Sequence, residues 1–178
     1  MKLSHLGFHG RTGMLTKDDF KKIKKEAKLE IAVLEQEYHD MGQGLDSPQW
    51  DQRKHRRYAS LVIECCSIIE HMLKQLYQSI YQKKFNSTEL MKTPAYRARS
   101  NMEILQAELN KQQIALKPGK ENMELALSQV FQARNKLIHE NFSFDSIVKE
   151  GMQAEETFEA MLDTIQKYRK HLKYLRPE

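Results

Sequence analysis

The chain has 178 residues, 40% of them hydrophobic and 30% charged, with seven Gly, four Pro and two Cys. A length between roughly 100 and 200 residues suits one domain around one core, and no apolar run approaches the ~18 residues of a membrane span, which argues against a membrane-spanning helix. The formal net charge of +5 makes an acidic partner plausible, because clustered Lys and Arg attract phosphates, but many basic proteins bind no nucleic acid.

Residues 1–15 carry Gly, His and Arg where a secretory signal would place its apolar core, so they read as a flexible arm on a cytoplasmic protein. Thr16 then offers a hydroxyl cap, Asp18 and Asp19 supply acid to the first turn, and Phe20, Ile23, Ala27, Ile31, Leu34 and Tyr38 recur at helical spacing until about Gly42. The opposite face of this first helix carries Lys17, Lys21, Lys24, Lys25 and Lys28. A solvated lysine face is the plain reading, and an RNA contact the sharper one.

Ser47-Pro48 places a cap residue before a proline at the first helical position, and neither Gly nor Pro interrupts the chain until past Lys84. The apolar stripe from Tyr58 to Ile80 predicts a helix about 50 Å long, the spine of the fold. Its polar start bears Arg53, Lys54, His55, Arg56 and Arg57, the wrong end for compensating the helix dipole but a suitable edge for phosphates. The only cysteines, Cys65 and Cys66, are adjacent within this helix, where a mutual bridge would be strained. Reduced core thiols fit a cytosolic setting.

Phe85 to Thr93 reads as a loop with room for one helical turn. Thr93-Pro94 and Ser100 with Glu103 offer two starts for the next helix, the second a capping box. Lys117-Pro118-Gly119 is a turn, and a fourth helix begins near Glu121 with Met123, Leu127, Val130, Phe131, Leu137 and Ile138. Phe142 to Asp145 breaks the period. After Gly151 a fifth helix follows with Phe158, Met161, Leu162, Ile165, Tyr168, Leu172 and Leu175 on one face. No alternating strand pattern is visible. The expected fold is all-α, an antiparallel bundle of four to five helices with an extra N-terminal helix.

The fourth helix carries Arg134-Asn135-Lys136-Leu137-Ile138-His139. An arginine presents a planar cationic fork suited to phosphate, and a histidine takes and returns protons near neutral pH. These parts suffice to cleave RNA without a metal: the imidazole takes the ribose 2′-hydroxyl proton, the oxygen attacks phosphorus, and the guanidinium stabilises the charge that develops. The products would be a 2′,3′-cyclic phosphate and a free 5′-hydroxyl. Residues five apart on a helix lie about 140° apart around the axis, whereas Asn135 and His139 share a face, so convergence of Arg134 with His139 calls for a homodimer through this helix. The plain alternative is that both cations cap the helix C-terminus. His139-Glu140 is not continued to a second histidine at metal-ligand spacing, and neither a metal nor another cofactor is expected. Trp50, Tyr77, Tyr81 and Tyr96 offer rings on which bases could stack, but single aromatics at helical spacing are usually core, and no role is assigned to them.

This segment resembles the signature of the HEPN superfamily, an arginine, a polar residue and a histidine four to six positions past the arginine. Leu61-Val62-Ile63-Glu64 and Ile68-Ile69-Glu70-His71-Met72-Leu73-Lys74 are similar to the family's early core helix. The resemblance implies a single HEPN-like helical domain over residues 16–178, its core at about 48–176, dimerising through the signature helix and acting as an endoribonuclease in toxin–antitoxin, phage-defence or RNA-processing systems. It implies Arg134, Asn135 and His139 as catalytic, with Glu64 and Glu70 as supporting carboxylates; Glu70 with Lys74 also reads as an ordinary i,i+4 pair. Lys136, Arg53, Arg56 and Arg57 would contact RNA, and an antitoxin or regulatory protein would be a further partner. In a toxin subgroup a tyrosine stands two positions after the histidine; here it is Asn141. Some members are catalytically silent and bind RNA or a partner protein, which is the alternative function.

Overall fold

The computed structural model describes residues 15–41 and 48–175, without the side chains of 48–52. The expected N-terminal arm therefore lies outside the described residues except for Leu15, which is buried, and so do Gly42, Ser47 and the side chain of Trp50. The protein is all-α, with six helices and one two-stranded ladder among the described residues. None of these helices is long and apolar enough to cross a membrane.

Helix α1 spans Lys17–Met41. Its start is fixed by Thr16, whose hydroxyl accepts the Asp19 amide (3.0 Å) and donates to the Asp19 carboxylate (2.6 Å). Phe20, Ala27, Ile31 and Leu34 turn into the core. Helix α2, Pro48–Tyr81, is the spine at 34 residues, about 50 Å by helical rise. It packs against α1 and three later helices: α4 (Asn101–Lys111), α5 (Asn122–His139) and α6 (Ala154–His171). Its buried stripe includes Tyr58, Leu61, Cys65, Ile69, Leu73 and Leu76.

Side-chain pairs give the helix directions. Arg57 near the start of α2 reaches Glu37 near the end of α1, so these two run antiparallel. Arg134 late in α5 reaches Glu70 of α2, while Arg56 lies over Phe142 just past α5, again antiparallel. Lys54 meets Glu155 at 2.6 Å, start beside start, so α2 and α6 run parallel. Tyr58 cements this end, stacked on Phe158 (5.1 Å) and meeting Phe144 edge-on (5.6 Å).

The connection after α2 holds one short helix, α3 (Ser87–Leu90), and a 3-10 turn at Pro94–Tyr96. Of the two starts, Ser100 is the one that begins the helix, capping α4 in a complete capping box with Glu103, while Pro94 opens only a separate 3-10 turn. Gly119 takes the left-handed conformation (φ 80°) that the turn before α5 requires.

Two expectations are corrected. Strands do occur: β1 (Ile114–Leu116) pairs antiparallel with β2 (Leu172–Tyr174), in register Ile114 with Tyr174 and Leu116 with Leu172. The last helix accordingly stops at His171 rather than running through Leu172 to Leu175, and Leu175 is exposed. Tyr168, Leu172 and Leu175 fit a helical stripe, but Leu172 and Tyr174 fit alternation equally well, and over so few residues periodicity cannot separate the two.

Candidate active site on the fifth helix

Helix α5 buries Leu127, Val130, Phe131 and Leu137 against α2 and α6. Arg134 falls on this inward half. Its guanidinium lies over the Phe131 ring (5.1 Å to the centroid) and its Nη2 approaches the Glu70 carboxylate of α2 at 3.4 Å. Both side chains are largely shielded, 22% and 24% exposed, and the Arg134 Nε is buried without a hydrogen-bond partner. Arg134 is thus held by the Phe131 ring and one carboxylate contact, with donor capacity unfilled.

Beside it opens a cleft of about 380 Å³ between α2, α4 and α5, roofed by Phe85 and Met91 of the α2–α4 connection. Ser128, Gln132, Arg134 and Asn135 line it from α5, and Ser100 and Asn101 from the start of α4. Ser128, Gln132 and Asn135 recur at i, i+4 and i+7, and the next position of that stripe is His139. His139 itself is exposed in the last turn, beyond the residues lining the cleft. Asn135 is shared by the cleft and the exposed stripe; Arg134 and His139 do not converge within one chain. Sequence reading had missed the α4 residues and the polar stripe, although the stripe's helical spacing was there to be seen.

The turn after His139 is unusual. Asn141 (φ 52°) and Phe142 (φ 62°) are both left-handed, and the Phe142 amide returns to the Leu137 carbonyl at 2.8 Å, closing a Schellman-type cap. Asn tolerates this conformation; an aromatic residue there is strained. Phe142 is anchored by the Arg56 guanidinium, 6.0 Å from its ring centre.

No protein-family model, curated protein or solved structure matches this chain.

The remaining candidate residues divide. Glu64 does not join Arg134; it lies 3.4 Å from Arg57. Arg57 also makes a two-pronged contact with Glu37, Nε to Oε1 and Nη2 to Oε2 both at 2.6 Å, and the Glu37 hydrogen bonds hold its charge firmly. It bolts α1 to α2, which leaves little of it for a phosphate. Lys136 is exposed and donates to the Ser146 carbonyl (2.6 Å). Arg53 is exposed, and Arg56 brings charge to the α5 terminus. Glu70 serves two cations, Lys74 on its own helix and Arg134, so the i,i+4 pair and the cross-helix contact coexist. Cys65 and Cys66 are unbridged and buried, and burial pushes both thiols up.

Proposed function

We propose that the chain is a metal-independent endoribonuclease of HEPN type that acts as a homodimer through α5, as an effector in toxin or phage-defence systems. The observation that carries this reading is the polar stripe of α5, which leads from a cleft containing Arg134 to an exposed His139 at the helix end. Arg134 supplies a shielded cation with an unfilled donor, and His139 supplies a proton carrier open to solvent.

In the reaction, one His139 takes the 2′-hydroxyl proton and the 2′-oxygen bonds to phosphorus. The bond from phosphorus to the 5′-oxygen breaks, and the His139 of the second copy protonates the leaving oxygen. A two-fold axis at α5 supplies both imidazoles, which one chain cannot. A protein inhibitor covering this helix would silence the enzyme.

A second reading has its own support. Arg134 already meets the Glu70 carboxylate, and the cleft that Arg134 lines does not include His139, as suits a silent HEPN-like module that binds RNA or a partner protein.

Purified protein incubated with mixed RNA in EDTA, beside His139→Ala and Arg134→Ala, separates the two. The ribonuclease reading expects products with cyclic phosphate and 5′-hydroxyl ends, and a fall of about 10²-fold or more on loss of His139. Cleavage undiminished in His139→Ala, or none by folded dimeric protein, sinks it; binding without cleavage supports the module.

A further inference from the structure

A second groove, of about 390 Å³, lies where α1 passes the end of α6. One wall is the lysine face of α1. Arg169 and Lys173 form the other, and between them the rings of Phe20 and Tyr174 meet at 5.9 Å. No acidic side chain among the described residues lines it. Asp18 lies 3.8 Å from Lys21, but both are so exposed that water and salt screen the pair.

Folding built this concentration of charge from two segments about 150 residues apart, and one of its members is locked into the structure. The Lys24 ammonium donates to the Leu172 carbonyl at 2.6 Å and to the Lys170 carbonyl at 3.5 Å, capping the end of α6. Its burial, followed by the fields of Lys173, Arg169 and Lys117, lowers this ammonium to about 8. The same field extends around the end of α6: His171 is pushed below its ordinary value by burial and then by Lys120, Lys117, Lys170 and Lys173. A free protein that sets so many cations side by side gains from any ligand that brings distributed negative charge.

We propose that this groove binds the phosphodiester backbone of a single-stranded nucleic acid. The lysines from Lys17 to Lys28 extend over about 16 Å of helix, a track for several successive phosphates rather than a socket for one. A groove between two basic walls holds a polymer from both sides. A membrane surface fits less well, because the apolar face of α1, with Phe20, Ala27, Ile31 and Leu34, is buried, and the exposed Leu29 and Val33 of this helix are not among the residues that line the groove. That the strand is RNA, and that the groove feeds the α5 site, rests on the ribonuclease reading; affinity for the backbone does not.

The test uses His139→Ala as the parent, so that no probe is cut, and a fluorescent oligouridylate of about 20 nucleotides. Lys21, Lys25 and Lys28 are exposed, so K21E/K25E/K28E folds, which circular dichroism checks. K83E/K84E/K92E makes the same change of charge on exposed residues elsewhere. Anisotropy titrations between about 50 and 200 mM salt should show the groove variant binding at least about tenfold more weakly, its salt slope smaller by about 2, with the control much less affected. Equal binding by the groove variant, or equal loss in the control, overturns the proposal. So does binding to phosphatidylserine vesicles without binding to the oligonucleotide. Cleavage assays in the native-His139 background keep the readings apart: groove binding by a chain that never cuts refutes the ribonuclease alone, and unimpaired cutting with the groove reversed refutes the groove as its substrate track.

Discussion

Glu108 is a charged residue left only 6% exposed, and three neighbours make that tolerable. Lys111 approaches its carboxylate at 2.7 Å, the Tyr96 hydroxyl donates to it at 2.5 Å, and the Tyr81 hydroxyl donates to its backbone carbonyl at 3.1 Å. Burial alone would push this carboxyl up, but the donors outweigh it, and the net position is below the ordinary 4.5. A carboxylate depressed on folding contributes stability that is fully present above its unfolded value and is lost as pH falls through the folded one. Replacing Glu108 with Gln should therefore cost about 1–3 kcal/mol near pH 7 and less at an acid pH below the carboxyl's own lowered folded value, where the native side chain too has taken up its proton. Urea denaturation at the two pH values measures the difference; an equal loss at both would mean that shape rather than charge matters at this position. Nothing in the local sequence announced this residue, because Glu108 and Tyr96 are brought together only by the turn between them. The same holds for Arg134: its motif was legible from residue types alone, but its contact with Glu70 joins positions 64 apart.

At the scale of elements, the local rules were the most readable part of the chain. Thr16, Pro48, Ser100 and Gly119 each act at the boundary they suggested, because caps and turns depend on a few adjacent residues. The capping box of α4 matters beyond its own helix, since Ser100 and Asn101 also line the cleft at Arg134. Ser100→Ala should cost about 1 kcal/mol, read as a lower denaturation midpoint with an unchanged slope. Ser100→Asp, which keeps a capping oxygen, should restore most of it; failure to do so would assign the loss to the cleft instead. What local rules missed is the ladder of β1 with β2. Its strands are three residues each and exist through their pairing, fixed by the Lys117 amide on the His171 carbonyl and the Leu175 amide on the Gln113 carbonyl. The cleft was hidden for a related reason: two of its walls come from helices far apart in sequence, and only the α5 stripe could have hinted at it.

For the whole molecule, the proposed dimer raises the question of which surface would meet a second copy. The exposed large hydrophobic residues among those described lie in three places: Leu125 (64%) and Ile138 (44%) on α5, Leu29 (56%) and Val33 (67%) on α1, and Leu175. Two apolar side chains are a modest anchor, yet those of α5 flank Gln132, Asn135 and His139, the stripe a two-fold contact would have to cover. A dimer built there joins two imidazoles in one cleft; a dimer built on Leu29 and Val33 leaves them apart. Leu125→Glu with Ile138→Glu should therefore turn a dimer into a monomer in analytical ultracentrifugation and reduce RNA cleavage by about 10²-fold or more, the effect expected when a general acid is lost. Because both residues are exposed, thermal stability of the monomer should change little, within about 0.5 kcal/mol. Leu29→Glu with Val33→Glu is the matching control and should leave dimer and cleavage intact. If that pair splits the dimer instead, the interface belongs to α1; if a monomer of the α5 variant cuts RNA as well as the parent, one His139 is enough and the two-fold site is wrong.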